Sequence, residues 1–124
     1  MSNGEDLTTR LMDNMDPQLL DFVKTKVNSF IKWDLVRFFH DNPNVADTVE
    51  NIARCAGRNP AAVRPEIDDL VGCGVMDRQE SGDLVTYSLA SDPSVRRVLN
   101  AFVRASRDRH FRVKAVYHII RGMR

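Results

Sequence analysis

The last quarter of the chain collects the side chains with the longest chemical reach. Residues 92–124 hold nine Lys or Arg against only Asp92 and Asp108, a net of +7. Arg107, Lys114 and Arg121 recur at steps of seven, and Arg97 and Arg104 repeat that spacing. On one helix such a step returns to the same face, giving a basic stripe that can bind phosphates without reading sequence. The plainer alternative is a solvated face opposite a dimer seam, with Arg stems covering apolar surface. Asp108, His110 and His118 are of metal-ligating type. Zinc needs four well-placed N, O or S ligands, and Arg121 sets a guanidinium three residues beyond His118, so no metal and no cofactor is expected. Cys55 and Cys73 lie 18 residues apart without a Cys-x-x-Cys pair, which suits buried, reduced thiols. There is no Gly-rich phosphate loop, no His-Glu-x-x-His and no nucleophile elbow, so the chain is not expected to be an enzyme.

These side chains need elements to hold them. Asp16-Pro17 is a helix start, because Asp accepts free amides and Pro has none to lose. Leu20, Val23, Val27 and Phe30 or Ile31 recur at helical spacing. A second set, Leu35, Val36, Phe38 and Phe39, runs on to a stop at Asp41-Asn42-Pro43. One helix or two, joined near Ser29, would satisfy this pattern. Asp47 and Glu50 suggest a capping box for a short helix that Gly57 ends. Asn59-Pro60 starts the next, with Val63, Ile67, Leu70 and Val71 on its apolar face. Gly72 and Gly74 release a strand over 75–79, Glu80-Ser81-Gly82-Asp83 is a hairpin tip, and Val85, Tyr87 and Leu89 alternate as in a half-buried strand. From Asp92-Pro93 to Gly122 no Pro or Gly interrupts, which predicts one long basic helix whose apolar stripe weakens across Ser106–His110.

The order short helix, tight turn, second helix, hairpin resembles the winged helix-turn-helix module. The resemblance rests on Thr48-Val49-Glu50-Asn51-Ile52-Ala53, the turn after Gly57, and Leu70-Val71-Gly72-Cys73-Gly74-Val75-Met76, and it covers residues 32–90. The chain is similar there to small regulators of the arsenic-repressor and multiple-antibiotic-resistance types. The resemblance implies that the helix after Asn59 supplies base contacts, the hairpin tip touches the neighbouring minor groove, and terminal helices form a homodimer. The matching DNA-facing positions are Arg58, Asn59 and Arg64, with Arg78 near the tip. Arg64 can bond guanine twice and Asn59 can bond an adenine edge. Asn59 equally suits a helix cap, and Arg64 a solvated surface. Glu66, Asp68 and Asp69 are expected on or near the presented face, with Pro65 inside the helix and Glu80 and Asp83 at the tip. Those carboxylates oppose phosphate. Metal sensors of the arsenic-repressor type pair an Asp-x-His with a later His and acid. Here the two His are eight residues apart, and Arg121 replaces the acid.

The expected architecture is mainly α with a small β-hairpin: a winged helix-turn-helix at residues 32–91, a helical extension at 16–31, a flexible tail at 1–15, and the basic C-terminal helix at 92–124. Residues 44–91 carry a net of −4, so the presumed reading head is acidic. Leu20, Val23, Val27, Leu99, Phe102, Val113, Val116 and Ile120 exceed what one small core can cover and are candidates for a dimer interface. No apolar run approaches the roughly 20 residues of a membrane span, and the first residues are polar, so a cytoplasmic protein is expected. The expected function is a homodimeric DNA-binding transcriptional regulator. The alternative is a winged-helix interaction module that binds another protein through the acidic face around Glu66, Asp68 and Asp69.

Overall fold

The computed structural model describes residues 15–123 of the 124-residue chain, so the expected tail at 1–15 lies outside the described residues except for Met15. Met15, counted with that tail, is buried in the core instead. Among the described residues the chain is mainly helical, with six helices and one three-stranded antiparallel sheet. No helix among them is long and apolar enough to cross a membrane.

Residues 17–41 form two helices, α1 (Pro17–Thr25) and α2 (Phe30–Asp41). Asp16 accepts the Gln18 amide at 2.8 Å and starts α1. The Val27 amide folds back on the Phe22 carbonyl at 2.8 Å. Ser29, extended at φ −149°, accepts the Lys32 amide and opens α2. A capping serine in mid-pattern therefore divides what periodicity alone leaves continuous.

A strand not foreseen in the sequence follows, β1 (Ala46–Asp47), too short to display alternation. Helix α3 (Val49–Ala56) is capped one residue later than the capping box requires. Thr48 accepts the Asn51 amide at 3.3 Å, while Asp47 accepts the Thr48 amide and the Asn51 side-chain amide. Glu50 points away to Arg64. The box does not form because Asp47 is held in the sheet, opposite Tyr87. Gly57 ends α3 at φ +69°, a conformation that costs other residues about 1 kcal/mol.

Helix α4 (Pro60–Gly72) runs unbroken through Pro65. Strands β2 (Met76–Ser81) and β3 (Leu84–Leu89) make a hairpin tighter than expected, with only Gly82 and Asp83 between them. Gly82 has positive φ and Asp83 does not, which fits a II′ turn. Sheet order is β1-β3-β2.

The C-terminal segment corrects the single-helix expectation. It is two helices, α5 (Pro93–Ala105) and α6 (Arg109–Gly122). Asp108 takes the Phe111 amide at 2.9 Å and starts a new helix, while the Ser106 hydroxyl bonds the Phe102 carbonyl. Arg112 donates to the carbonyls of Ser106 and Arg107, both at 2.9 Å, and satisfies the end of α5. The bend lets Phe111 reach the same core as Phe102, 5.8 Å away between ring centres.

One hydrophobic core runs through the helices and the sheet. Phe102 sits among Phe22, Trp33 and Phe111. Val23, Val27, Leu99 and Phe102 are 0% exposed within a single chain, so they are core residues rather than dimer-interface residues. Burying each is worth about 1.5–3 kcal/mol, and that gain is already realised without a second copy. Leu20 and Val116 are half-buried. Val113 and Ile120 remain more than half exposed, together with Met123. Exposed apolar side chains thus lie on α6 and the Met123 that follows it, with Leu84 at the start of β3 and Phe30 at the start of α2 besides.

Candidate nucleic-acid interface

Helix α4 packs against α2, α3 and β2, burying Val63, Ile67 and Leu70. Its exposed side carries Asn59, Ala61, Ala62, Arg64 and Pro65 in the first turns, then Asp68 and Asp69. Asn59 caps the helix by accepting the Ala61 amide at 2.8 Å, the structural role its position suggested. Pro65 removes the amide that would have bonded the Ala61 carbonyl. Ala61 is exposed, so water can take that carbonyl.

The acidic residues of α4 hold structural positions. Lys32 of α2 is almost fully buried and needs acceptors. Its Nζ donates to Asn28 Oδ1 at 2.7 Å and to Asp69 Oδ2 at 3.2 Å, with Glu66 Oε2 at 4.0 Å. Asp68 accepts the Tyr87 hydroxyl at 2.7 Å and ties α4 to β3. Burial, and then the Asp68 carboxylate, hold the Tyr87 hydroxyl above its ordinary pKa, so it stays a donor. Asp68 and Asp69 are exposed on the outer side of α4, as expected of the presented face, while Glu66 is half-buried. Each turns one oxygen onto a neighbouring element.

The candidate arginines are also engaged. Arg58 sends Nε and Nη2 to Asp34 Oδ2, at 2.8 and 2.7 Å, and locks the turn before α4 onto α2. Arg64 lies 3.4 Å from Glu50 Oε1, with both side chains more than half exposed. Arg78 meets Glu80 at 2.9 Å on the hairpin surface. Exposed pairs of this kind are worth about 0–1 kcal/mol. Arg64 and Arg78 can exchange partners cheaply, whereas Arg58 is more firmly placed by two bonds to one oxygen.

Arg107, Lys114 and Arg121 do not share a helical face, because Arg107 lies in the α5–α6 connection. It lines a cleft with Trp33, Arg37, Asp41, Val103, Ser106 and Arg112. Lys114 borders a second cleft with Arg109, His110 and Val113. Arg121 lies against Tyr117, donating to its hydroxyl at 2.8 Å.

His118 Nε2 is buried without a hydrogen-bond partner. Burial, then Lys24 and Arg121, lower its pKa. His110 is exposed. Among the described residues no three His, Cys, Asp or Glu side chains gather as a metal site would require. Cys55 is exposed rather than buried, and Cys73 half-buried with its thiol on the Leu70 carbonyl; both are free.

Three residues passed over in the sequence matter to this geometry. Lys32 organises the acids of α4. Arg37 and Arg112 meet Arg107 at the cleft. A signal existed for part of this, since Trp33, Arg37 and Asp41 follow at steps of four along one face of α2. Nothing local tied that face to Arg107. No protein-family model, curated protein or solved structure matches the chain.

Proposed function

We propose that the chain is a winged helix-turn-helix DNA-binding regulator that acts as a homodimer. In this reading α2, α3, α4 and the β2–β3 hairpin make the module, and α4 enters the major groove. The observation that carries it is the distribution of acids along α4. Glu66 and Asp69 serve Lys32, and Asp68 serves Tyr87, all in the second half of the helix. The first turns offer Ala61, Ala62, Arg64 and Pro65 without a carboxylate of their own. Groove-reading helices use their N-terminal residues. Arg64 can trade its exposed link to Glu50 for a guanine edge, a contact worth about 1–3 kcal/mol of discrimination, and Ala methyls suit thymine methyls. Exposed Val113 and Ile120 of α6, with half-buried Val116 between them and exposed Met123 just after the helix, support an isologous dimer.

A gel-shift titration with genomic fragments at low salt tests the reading. At least one fragment should shift, affinity should fall steeply with salt, and Arg64→Ala should cost about 1–3 kcal/mol on the specific site alone. If no fragment shifts, the regulator reading is wrong. A second reading, a winged-helix module that binds protein, is favoured by the net −4 of residues 44–91 and by Leu84, 53% exposed beside the acidic hairpin tip. It requires no duplex binding even at low salt.

A further inference from the structure

Arg37, Arg107 and Arg112 line one cleft of about 400 Å³ between α2, the end of α5 and the start of α6. All three are exposed, and among the described residues none has a carboxylate in ion-pair range. Arg58, Arg64 and Arg78 each have one. An anion bound in the cleft would be attracted by all three side chains, none of which has a carboxylate among the described residues to neutralise it. Arg112 is already oriented, because its Nη1 grips the carbonyls of Ser106 and Arg107; its other nitrogens are left for a ligand. Trp33, held edge-on to Phe102 at 5.2 Å, and Val103 give the cleft an apolar wall. Asp41, the acid lining the cleft, lies 3.1 Å from His40 Nδ1.

We propose that this cleft binds a small phosphomonoester carrying a planar ring, of the mononucleotide class. Arg37, Arg107 and Arg112 take the phosphate and Trp33 takes the ring. The volume falls in the ordinary range for small-molecule sites. Three planar donor forks match a doubly charged phosphate better than a single carboxylate. An aromatic wall beside the charge matches a base, whose stacking adds to affinity. No residue of α4 lines the cleft, so the proposal stands or falls apart from DNA reading by that helix.

Trp33 is the single tryptophan, which makes the cleft self-reporting. The full chain is titrated with AMP, inorganic phosphate and benzoate at low ionic strength, following tryptophan fluorescence. Phosphorus NMR line broadening gives a second readout that does not depend on the indole. AMP should bind saturably and about tenfold or more tighter than inorganic phosphate, the difference being ring stacking. Arg37→Gln and Arg107→Gln should each weaken AMP by about ten- to a hundredfold, the cost of one charged hydrogen-bond partner, with circular dichroism unchanged. Arg64→Gln should leave AMP binding unaltered. The proposal is overturned if neither AMP nor phosphate binds below about 10 mM, a range weaker than the usual limit of specific binding. It is equally overturned if the Arg107→Gln protein binds AMP as the wild type does, or if benzoate binds as tightly as AMP. If a short DNA duplex, and not AMP, binds in a way that depends on Arg37 and Arg107, the cleft is a contact for nucleic-acid backbone and the mononucleotide assignment is wrong.

Discussion

Truncating Phe102 to Ala separates two accounts of the C-terminal helices. In the sequence Phe102 belongs to a stripe suited to a dimer seam; in the fold it is 0% exposed within one chain, packed on Phe22, Trp33 and Phe111. A core Phe→Ala change costs about 3–5 kcal/mol, because the lost transfer energy adds to that of an unfilled cavity. Three ring contacts, at 5.2 to 5.8 Å, push the estimate toward the upper end of that range. Domains of this size have only about 5–15 kcal/mol in total, so the variant should be barely folded. Phe102→Leu, expected to cost about 1–2 kcal/mol, keeps the measurement within range. Urea unfolding is followed by circular dichroism and by Trp33 fluorescence, at two protein concentrations a hundredfold apart. A core residue gives the same loss at both, whereas a seam residue gives a loss that depends on concentration through mass action. A cost below about 1 kcal/mol for Phe102→Ala, or one that varies with concentration, would refute the placement of α5 in the core.

Val113→Asp with Ile120→Asp should turn a dimer into a folded monomer, since both side chains are more than half exposed in the single chain; light scattering of a wild type already monomeric at micromolar concentration would end the dimer proposal. His118 has a folded pKa below its ordinary 6.5, so the unfolded chain takes up the proton first. Its contribution to stability is fully present above that value and is lost as pH falls through 6.5 toward the folded pKa, with Lys24 and Arg121 opposing the charge. The drop in urea midpoint from about pH 7.5 to about pH 5.5 should be smaller in His118→Gln than in the wild type, and equal drops would contradict the assignment. Gly57→Ala should cost about 1 kcal/mol, from strain at φ +69° alone, because nothing lies within 4 Å of the added carbon. A thermal melt with no loss would mean that the turn relaxes.

Helix starts were legible wherever one residue carries the signal. Asp16-Pro17, Asn59-Pro60 and Asp92-Pro93 each combine a capping side chain with a proline, and each opens a helix where the sequence puts it. Gly57 and the hairpin around Gly82 were legible for the same reason, since a positive φ demands a residue without Cβ. The Thr48 cap was missed because Asp47, an equally good capping residue, precedes it; pairing with Tyr87 in the sheet decided between them. The break at Ser106–Asp108 was visible only as a weakening of the stripe. In the fold Asp108 caps a new helix there, and Phe111 is buried against Phe102.

Periodicity and local chemistry thus determined the identity and order of most elements, the apolar face of each, and the acid–base asymmetry between the middle and the end of the chain. They did not determine which charges meet. Glu66 and Asp69 close on Lys32, 34 and 37 positions away in the chain; Asp68 closes on Tyr87, and Arg107 comes beside Arg37. Spacing along one helix identifies a shared face, but it carries no information about the element that face will meet. That choice belongs to the tertiary structure, where one common core brings α2, α4, α5 and the sheet together and leaves each charged group to find its partner at the boundary.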